Sequence, residues 1–131
     1  MKKPYALLAL LIITLSPLQN ASAGEVARAQ FTSAIEAREP VDNLAIVDSH
    51  VNNIYFFSEL RNLQGETITH RWMFSGEVMA EIRFEVGGPR WRVNSSKRLL
   101  PDWLGKWSVV VVNGNGTSLA EYSFQYVAAE Q

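Results

Sequence analysis

Residues 67–86 alternate between apolar and polar side chains with a period of two, which is typical of β-strands that bury one face. Ser75-Gly76 interrupts the alternation, and glycine accepts the positive φ that a tight hairpin turn requires. The pattern predicts an antiparallel hairpin with one apolar face. That face carries Ile68, His70, Trp72 and Phe74 on the first strand and Val78, Ala80, Ile82, Phe84 and Val86 on the second.

The apolar face also predicts the register of this hairpin, because a slip of one residue would turn every apolar side chain to water. The expected pairs are Phe74 with Val78, Trp72 with Ala80, His70 with Ile82, and Ile68 with Phe84. On the opposite face, the expected pairs are Arg71 with Glu81 and Met73 with Met79. We interpret this second face as solvated and charge-matched.

Gly87-Gly88-Pro89 breaks the second strand, and the alternation resumes at residue 90. The same parity predicts a second hairpin, in which Val86 faces Trp91, Phe84 faces Val93, Ile82 faces Ser95 and Glu85 faces Arg92. Each cross-strand ion pair of this kind stabilises a sheet by about 0.2–1 kcal/mol. The arginines of this region are therefore interpreted as members of a charge-matched surface.

Strands are also predicted before this central region. Residues 27–38 alternate as a long first strand, which Glu39-Pro40 ends. Residues 41–53 are ambiguous, since turn signals surround only a short apolar run. Residues 54–60 form a clearer strand that is rich in aromatic side chains.

A terminal hairpin is predicted after the central region. Residues 99–105 are a proline-interrupted connection that contains Trp103, and residues 106–112 and 118–126 are the two strands. The expected pairs are Trp107 with Tyr122 and Val109 with Ala120. Val110 and Val112 make the first of these strands apolar on both faces. This indicates either a central strand covered by a loop or by the Trp103 segment, or an exposed docking surface.

Six or seven short strands, about ten residues apart and with no helix predicted after residue 23, indicate an all-β protein. We predict an immunoglobulin-like antiparallel β-sandwich, with a small β-barrel as the alternative. Its core is expected to form from the apolar strand faces. The predicted core residues are His70, Trp72, Phe74, Ile82, Phe84, Trp91, Val93, Trp107, Val109, Tyr122 and Phe124.

The first 23 residues have the pattern of a secretory signal peptide. Lys2 and Lys3 precede an apolar run at residues 5–15, Ser16-Pro17 ends that run, and Ala21-Ser22-Ala23 offers small residues for cleavage. The run is shorter than the roughly 20 residues that a membrane-spanning helix needs. We therefore predict a signal peptide at residues 1–23, a single mature domain at residues 24–131 without a transmembrane segment, and a periplasmic or secreted location.

Charge and cysteine content narrow the possible functions. Without Lys2 and Lys3, ten basic residues stand against 13 acidic ones, a net charge of −3, which gives no general attraction to nucleic acid. The chain contains no cysteine, so disulfides and thiol chemistry are excluded. No nucleotide, calcium or zinc motif occurs, and no cofactor is expected.

Several short motifs are similar to a known family. These are His70-Arg71-Trp72, Trp91-Arg92, Ser95-Ser96-Lys97, Gly105-Lys106-Trp107 and the Phe124 strand. Together they resemble the bacterial domain-of-unknown-function family number 2914 over nearly all of the mature chain, although Met73 stands where an aromatic residue is expected. The resemblance implies a small all-β module, secreted alone or attached behind membrane-spanning segments, and it implies no activity, ligand or catalytic residue.

Two kinds of reactive site could be built from these residues, a hydrolase pair and a copper site. His70 and Ser95 could approach each other across a strand as a hydrolase pair, but no acid in the right phase orients the histidine. Met73 opposite Met79, with His50 as a third ligand, could bind Cu(I) through soft thioethers. Two surface methionines alone make a weak site, so neither a catalytic nor a metal site is predicted.

Ligand recognition is the stronger alternative, because arginine and tryptophan side chains can clamp sugars or peptides. The candidate binding residues, which lie close together in the sequence, are Arg90, Arg92, Lys97, Arg98 and Trp103. We therefore predict a non-catalytic module that binds or supports another envelope protein, with a glycan or peptide ligand as the alternative.

Overall fold

The computed structural model describes residues 24–130, so the predicted signal peptide lies outside the described residues. Within this range, no helix is long and apolar enough to cross a membrane. The long strands are β1 (Glu25–Thr32), β5 (Asn53–Arg61), β6 (Thr67–Phe74), β7 (Glu77–Glu85), β8 (Arg90–Arg98), β9 (Gly105–Val112) and β10 (Ser118–Val127). The short strands are β2 (Ile35–Glu36), β3 (Glu39–Pro40) and β4 (Ile46–Asp48).

The long strands and the short strand β4 form two facing sheets, with strand orders β1-β5-β8 and β4-β10-β9-β6-β7. Aromatic rings pack between the sheets. The ring centres of Phe31 in β1 and Phe56 in β5 lie 5.9 and 6.5 Å from the ring centre of Trp72 in β6. Neither sheet closes on itself within residues 24–130. The prediction of an all-β sandwich is confirmed, and the alternative of a barrel is wrong.

The grouping of the long strands is immunoglobulin-like, as predicted. The first, second and fifth long strands share one sheet, and the third, fourth, sixth and seventh share the other. Immunoglobulin constant domains differ only in that their fourth strand joins the first sheet. One pairing departs from the antiparallel expectation, since β4, in the segment that was ambiguous from sequence, runs parallel to β10.

The β6–β7 hairpin has most of the predicted register. The observed pairs include Ile68 with Phe84, His70 with Ile82, Trp72 with Ala80 and Arg71 with Glu81. The predicted Phe74–Val78 and Met73–Met79 pairs are wrong, because a β-bulge after Trp72 pairs Met73 with Val78 and Phe74 with Glu77. A bulge adds one residue to one strand and so inverts the parity beyond it. Val78 is consequently 51% exposed, whereas Met79 packs against the core.

The predicted hairpin between β7 and β8 is wrong. β8 pairs with β5 in the other sheet, with Trp91 opposite Leu60 and Arg92 opposite Glu59. Residues 86–89 carry the chain from one sheet to the other, and Val86 stays beside the five-stranded sheet by donating its N–H to the carbonyl of Glu66. Apolar and polar residues alternate in the same way whether two successive strands form a hairpin or lie in different sheets. The alternation therefore could not distinguish these two arrangements.

The terminal hairpin is displaced by two residues from its predicted register. Trp107 pairs with Phe124, and Val109 pairs with Tyr122. A bulge between Ser118 and Ala120 reduces this displacement to one residue beside the turn. A shift of two residues leaves every side chain on its predicted face, because the side-chain period of a strand is two.

The first strand is shorter than predicted. β1 ends at Thr32, and the two-residue strands β2 and β3 follow as a small hairpin. Ala37 and Arg38 form its turn, with φ of 50° and 65°. A bulge near the start of β1 interrupts the predicted alternation and leaves Ala27 exposed.

The core contains ten of the eleven predicted residues. His70, Trp72, Val93, Trp107, Val109 and Phe124 are buried, and Phe74, Ile82, Phe84 and Tyr122 are partly buried against them. The exception is Trp91, which is 38% exposed. Trp91 lies at the start of the edge strand β8, where its ring packs over Gly87 in the crossing between the sheets.

The doubly apolar strand β9 is central in its sheet. It lies between β10 and β6, and Val112 is buried while Val110 is half-buried between Arg71 and Glu121. The Trp103 segment does not cover these valines. Its carbonyl accepts a hydrogen bond from the Trp107 indole at 2.9 Å, on the inner side of the sandwich.

Candidate functional site

A buried polar network crosses the interface between the two sheets. His70 of β6 is fully buried, and its Nε2 and Nδ1 atoms each lie 2.8 Å from a serine hydroxyl of the other sheet, Ser58 and Ser95 respectively. The Trp72 indole also donates to Ser95, at 3.1 Å. A neutral imidazole has one donor and one acceptor nitrogen, so this arrangement satisfies the ring completely.

The His70–Ser95 pair considered as a hydrolase site is therefore present but enclosed. Burial lowers the pKa of His70 to about 3, so the ring is neutral at physiological pH. Ser95 is itself buried, which leaves no room for a substrate beside its hydroxyl. The geometry identifies a polar contact that joins the two sheets.

The methionines do not form the copper site considered above. Met73 lies on the outer face of its sheet opposite Val78, whereas Met79 turns towards the core. His50 lies in the loop after β4 and lines a recess with Asp48 and Glu130, away from both methionines. Residues 24–130 contain no cluster of three His, Cys, Asp or Glu side chains able to hold a metal ion.

The outer surface of the three-stranded sheet carries an ionic network centred on Glu59. This carboxylate is only 3% exposed, and it accepts hydrogen bonds from Arg28 at 3.2 Å, Arg61 at 3.1 Å and Arg90 at 3.1 Å. Burial alone would raise the pKa of the Glu59 carboxyl. The hydrogen bonds from Arg28, Arg90 and Arg61 nevertheless bring that pKa below its ordinary value, so the group is ionised.

A second carboxylate extends this network to the small β2–β3 hairpin. Glu39 of β3 accepts two hydrogen bonds from Arg28 at 2.9 Å, and Arg92 lies 3.2 Å from the same carboxylate. The hydrogen bond from Arg28 holds the pKa of Glu39 below its ordinary value. The Arg28 guanidinium also lies 5.0 Å from the ring centre of Phe57, a cation–π contact. The hairpin is thereby fixed over the sheet.

Three arginines of this surface open onto one recess. We call it the arginine pocket: it has a volume of about 420 Å³ and is lined by Arg38, Arg90, Trp91, Arg92 and Asn94. Arg38 comes from the β2–β3 turn, and the other four residues lie within the first five positions of β8. The recess therefore needs two elements that are about 50 residues apart in the chain. They come together because the β2–β3 hairpin packs against the three-stranded sheet.

The five candidate binding residues do not form one site. Arg90 and Arg92 line the arginine pocket, whereas Lys97, Arg98 and Trp103 lie at the opposite end of β8. There the Lys97 ammonium is 5.3 Å from the Trp103 ring and donates to the carbonyl of Arg98 at 3.1 Å. Trp103 packs against the core and is not an exposed platform.

Five residues of the ionic surface were missed from sequence: Arg28, Arg38, Glu39, Glu59 and Arg61. They lie in segments that carry no binding motif. The pairing of β5 with both β1 and β8 brings Arg28, Glu59 and Arg61 beside Arg90, whereas the β2–β3 hairpin brings Arg38 and Glu39 beside Arg92. The one local signal was the outward phase of Arg28 in β1. The observed neighbours of Arg92 are Glu59 and Glu39, and not the predicted Glu85.

No curated protein matched the sequence. The family described as "Protein of unknown function (DUF2914)" has a model that matches residues 65–126. This range covers β6 to β10 and includes every motif on which the resemblance was based, but it omits β1 to β5, so it is narrower than expected. The resemblance is confirmed: residues 65–126 of this chain match the family of proteins of unknown function DUF2914.

Proposed function

We propose that this protein is a secreted or periplasmic, non-catalytic module that binds an acidic segment of another envelope protein. The signal-peptide pattern of residues 1–23 supports export. The observation that carries the proposal is the convergence of Arg38, Arg90 and Arg92 on one recess of about 420 Å³. Guanidinium groups hold carboxylates in a planar, bidentate geometry, and this makes arginine the residue suited to such a contact.

The charge of this surface differs in sign from that of the chain. Five arginines (Arg28, Arg38, Arg61, Arg90 and Arg92) stand against Glu25, Glu39 and Glu59, which gives these residues a net charge of +2. The predicted mature chain has a net charge of −3. The positive surface would therefore attract and orient an acidic partner that the rest of the molecule repels.

The pocket is also held in position before any ligand arrives. Glu59 fixes Arg90, with atoms 3.0 and 3.1 Å apart, and Glu39 fixes Arg92 at 3.2 Å. Each guanidinium has five N–H donors, more than these contacts use. A side chain that is already ordered loses less conformational entropy on binding, so both arginines could bind an added carboxylate at a reduced entropic cost.

An anionic glycan is the second candidate ligand. The pocket arginines can bind the carboxylate of a uronic acid as well as that of a glutamate, because a guanidinium group recognises the carboxylate itself. The ring of Trp91 lies against Gly87 on the face of β8 opposite that of Arg90 and Arg92, so it does not provide a stacking surface beside them. The acidic protein segment is therefore preferred.

Titration with charged probes tests this proposal. Isothermal calorimetry with a short oligoglutamate peptide should show binding that weakens as salt rises, whereas oligolysine should not bind. Arg38→Gln and Arg92→Gln should each weaken binding about tenfold, since each removes a charge-assisted hydrogen bond. Arg83→Gln is the matched control, because Arg83 is an exposed arginine of the other sheet. Equal effects of all three substitutions would show that only net charge matters and would refute the pocket. An oligouronate that binds more tightly than oligoglutamate would favour the glycan.

A further inference from the structure

One sheet of the sandwich has five strands and the other has three, so the wider sheet extends beyond the narrower one at β7. His70 of β6 contacts Ser58 of β5 and Ser95 of β8, so β6 lies above the space between those two strands. β7 is the next strand outward in the five-stranded sheet, and it therefore extends beyond β8. Within residues 24–130, β8 is the last strand of the three-stranded sheet on this side.

The inner side chains of β7 reflect this overhang. Ala80, Ile82 and Phe84 point inward but are only half-buried, whereas Trp72 on the neighbouring strand is fully buried. Trp91 of β8 pairs with the buried Leu60, so it also points inward, and it is 38% exposed. The overhang thus leaves an apolar ledge, formed by Ile82, Phe84 and Trp91, above the free edge of β8.

The free edge of β8 is long and regular. β8 has nine residues and pairs with β5 through nine consecutive positions without a bulge, and no strand of the described chain pairs with its other edge. Such an edge presents unpaired backbone N–H and C=O groups at alternate residues. An added strand there would make these hydrogen bonds and would lie beneath the ledge of β7.

We propose that the free edge of β8 pairs with an extended segment of the partner protein, in which apolar and acidic residues alternate. This inference rests on the proposed function, because it identifies how the acidic segment would bind. Side chains of a strand alternate between the two faces of a sheet. The apolar residues of the segment would lie against the ledge, and its acidic residues would lie on the outer face beside Arg90 and Arg92, which also point outward from β8.

Charge and geometry favour this edge over the others. β7 carries Glu77, Glu81 and Glu85 with only one arginine, so an acidic segment would be repelled there. β4 has three residues, which is too short to hold a strand, and β1 contains a bulge and contacts β10 along its side. β8 alone among these edges combines unbroken length, arginines on its outer face and an uncovered apolar ledge.

A peptide of about nine residues that alternates valine and glutamate, matched to the nine residues of β8, is the probe. It should bind at least about tenfold more tightly than an oligoglutamate of equal charge, because it adds backbone hydrogen bonds and apolar contacts. N-methylation of its alternate amides in one phase should reduce affinity about tenfold or more, whereas N-methylation in the other phase should have little effect. Nuclear magnetic resonance should show slowed amide exchange at alternate residues of β8 on binding.

Two substitutions in β7 provide a matched pair. Ile82→Thr should weaken binding of the alternating peptide severalfold, because Ile82 belongs to the ledge. Val78→Thr should leave the affinity unchanged, because Val78 pairs with Met73 on the outer face. Thermal melts verify that both variants are folded, and oligoglutamate should bind both as it binds the unmodified protein.

The possible outcomes separate this inference from the proposed function. If the alternating peptide binds no better than oligoglutamate and both N-methylated forms bind equally, strand pairing is refuted and the arginine pocket stands. If neither acidic peptide binds, or if both bind Arg38→Gln and Arg92→Gln as tightly as the unmodified protein, the proposed function is refuted as well. If the protein alone sediments as a dimer with β8 amides already protected, the occupant is a second copy and the inference is wrong.

Discussion

Acid should destabilise this fold through a single buried side chain, His70. Its pKa is about 3 in the folded protein and is expected near its ordinary value of 6.5 when the chain is unfolded. Between these two values the unfolded state binds the proton and the folded state does not. The contribution of neutral His70 is therefore complete above pH 6.5 and is lost progressively as the pH falls towards 3.

The size of the effect follows from the pKa difference. Each pH unit within this window changes the free energy of unfolding by about 1.4 kcal/mol. Lowering the pH from 7 to 5 should therefore cost about 2 kcal/mol, a substantial fraction of the 5–15 kcal/mol that is typical of small domains. The cause is burial, because both ring nitrogens already have serine partners and a charged ring would gain no compensating anion.

Urea denaturation at intervals between pH 7 and 5 measures this dependence. The window excludes the carboxylates of Glu39 and Glu59, whose pKa values are lowered from 4.5 and which lose their contribution only at lower pH. His70→Gln removes the titrating ring while keeping polar atoms between Ser58 and Ser95, and it should abolish the pH dependence. His50→Gln, at an exposed histidine, should leave it unchanged.

Two results would refute this reasoning. A free energy of unfolding that stays constant between pH 7 and 5 would show that His70 is solvated or is balanced by a carboxylate in the folded state. An unchanged slope in the His70→Gln variant would assign the pH dependence to another group, and the buried network would then have no part in it.

Three further changes are expected to separate core from surface in urea denaturation. Trp72→Ala should lower the free energy of unfolding by about 3–5 kcal/mol as a large-to-small core change. Arg71→Ala should lower it by less than about 1 kcal/mol, because it removes a half-exposed ion pair with Glu81. Similar losses in both variants would contradict the assigned strand faces. Trp91→Ala should cost less than about 2 kcal/mol, well below Trp72→Ala, and an equal loss would place its ring in the core. Glu59→Gln should cost about 1–3 kcal/mol, reduced by the exposure of its arginine partners, and a neutral result would show that the arginines are solvated independently.

The alternation of side chains determined the strands, and it predicted which face of most of them is buried. A strand repeats every two residues, so the apolar positions of β6, β9 and β10 lead directly to the burial of Trp72, Val109 and Phe124. A register error of two residues in the terminal hairpin left this result intact, because it preserves parity. The fold class followed from the number of such strands and the lack of helical periodicity.

Bulges and strand neighbours were decided only by the tertiary structure. The bulge after Trp72 breaks the alternation locally, and no residue in the sequence predicts it. Because of this bulge, Val78 lies on the outer face and Met79 on the inner face, the reverse of what the alternation predicted. The crossing at residues 86–89 has the same alternation as a hairpin, so the pairing of β8 with β5 could not be distinguished from pairing with β7.

The candidate site shows the same division. Arg90 and Arg92 could be selected from sequence, since they are close together and of suitable chemistry. Arg38 and Glu59 could not, because they reach those arginines only through pairing between distant segments. The sequence specifies local periodicity, which depends only on neighbouring residues. The pocket and the exposure of Trp91 depend on β8 being the edge strand of its sheet, and that position is decided by packing of the whole chain.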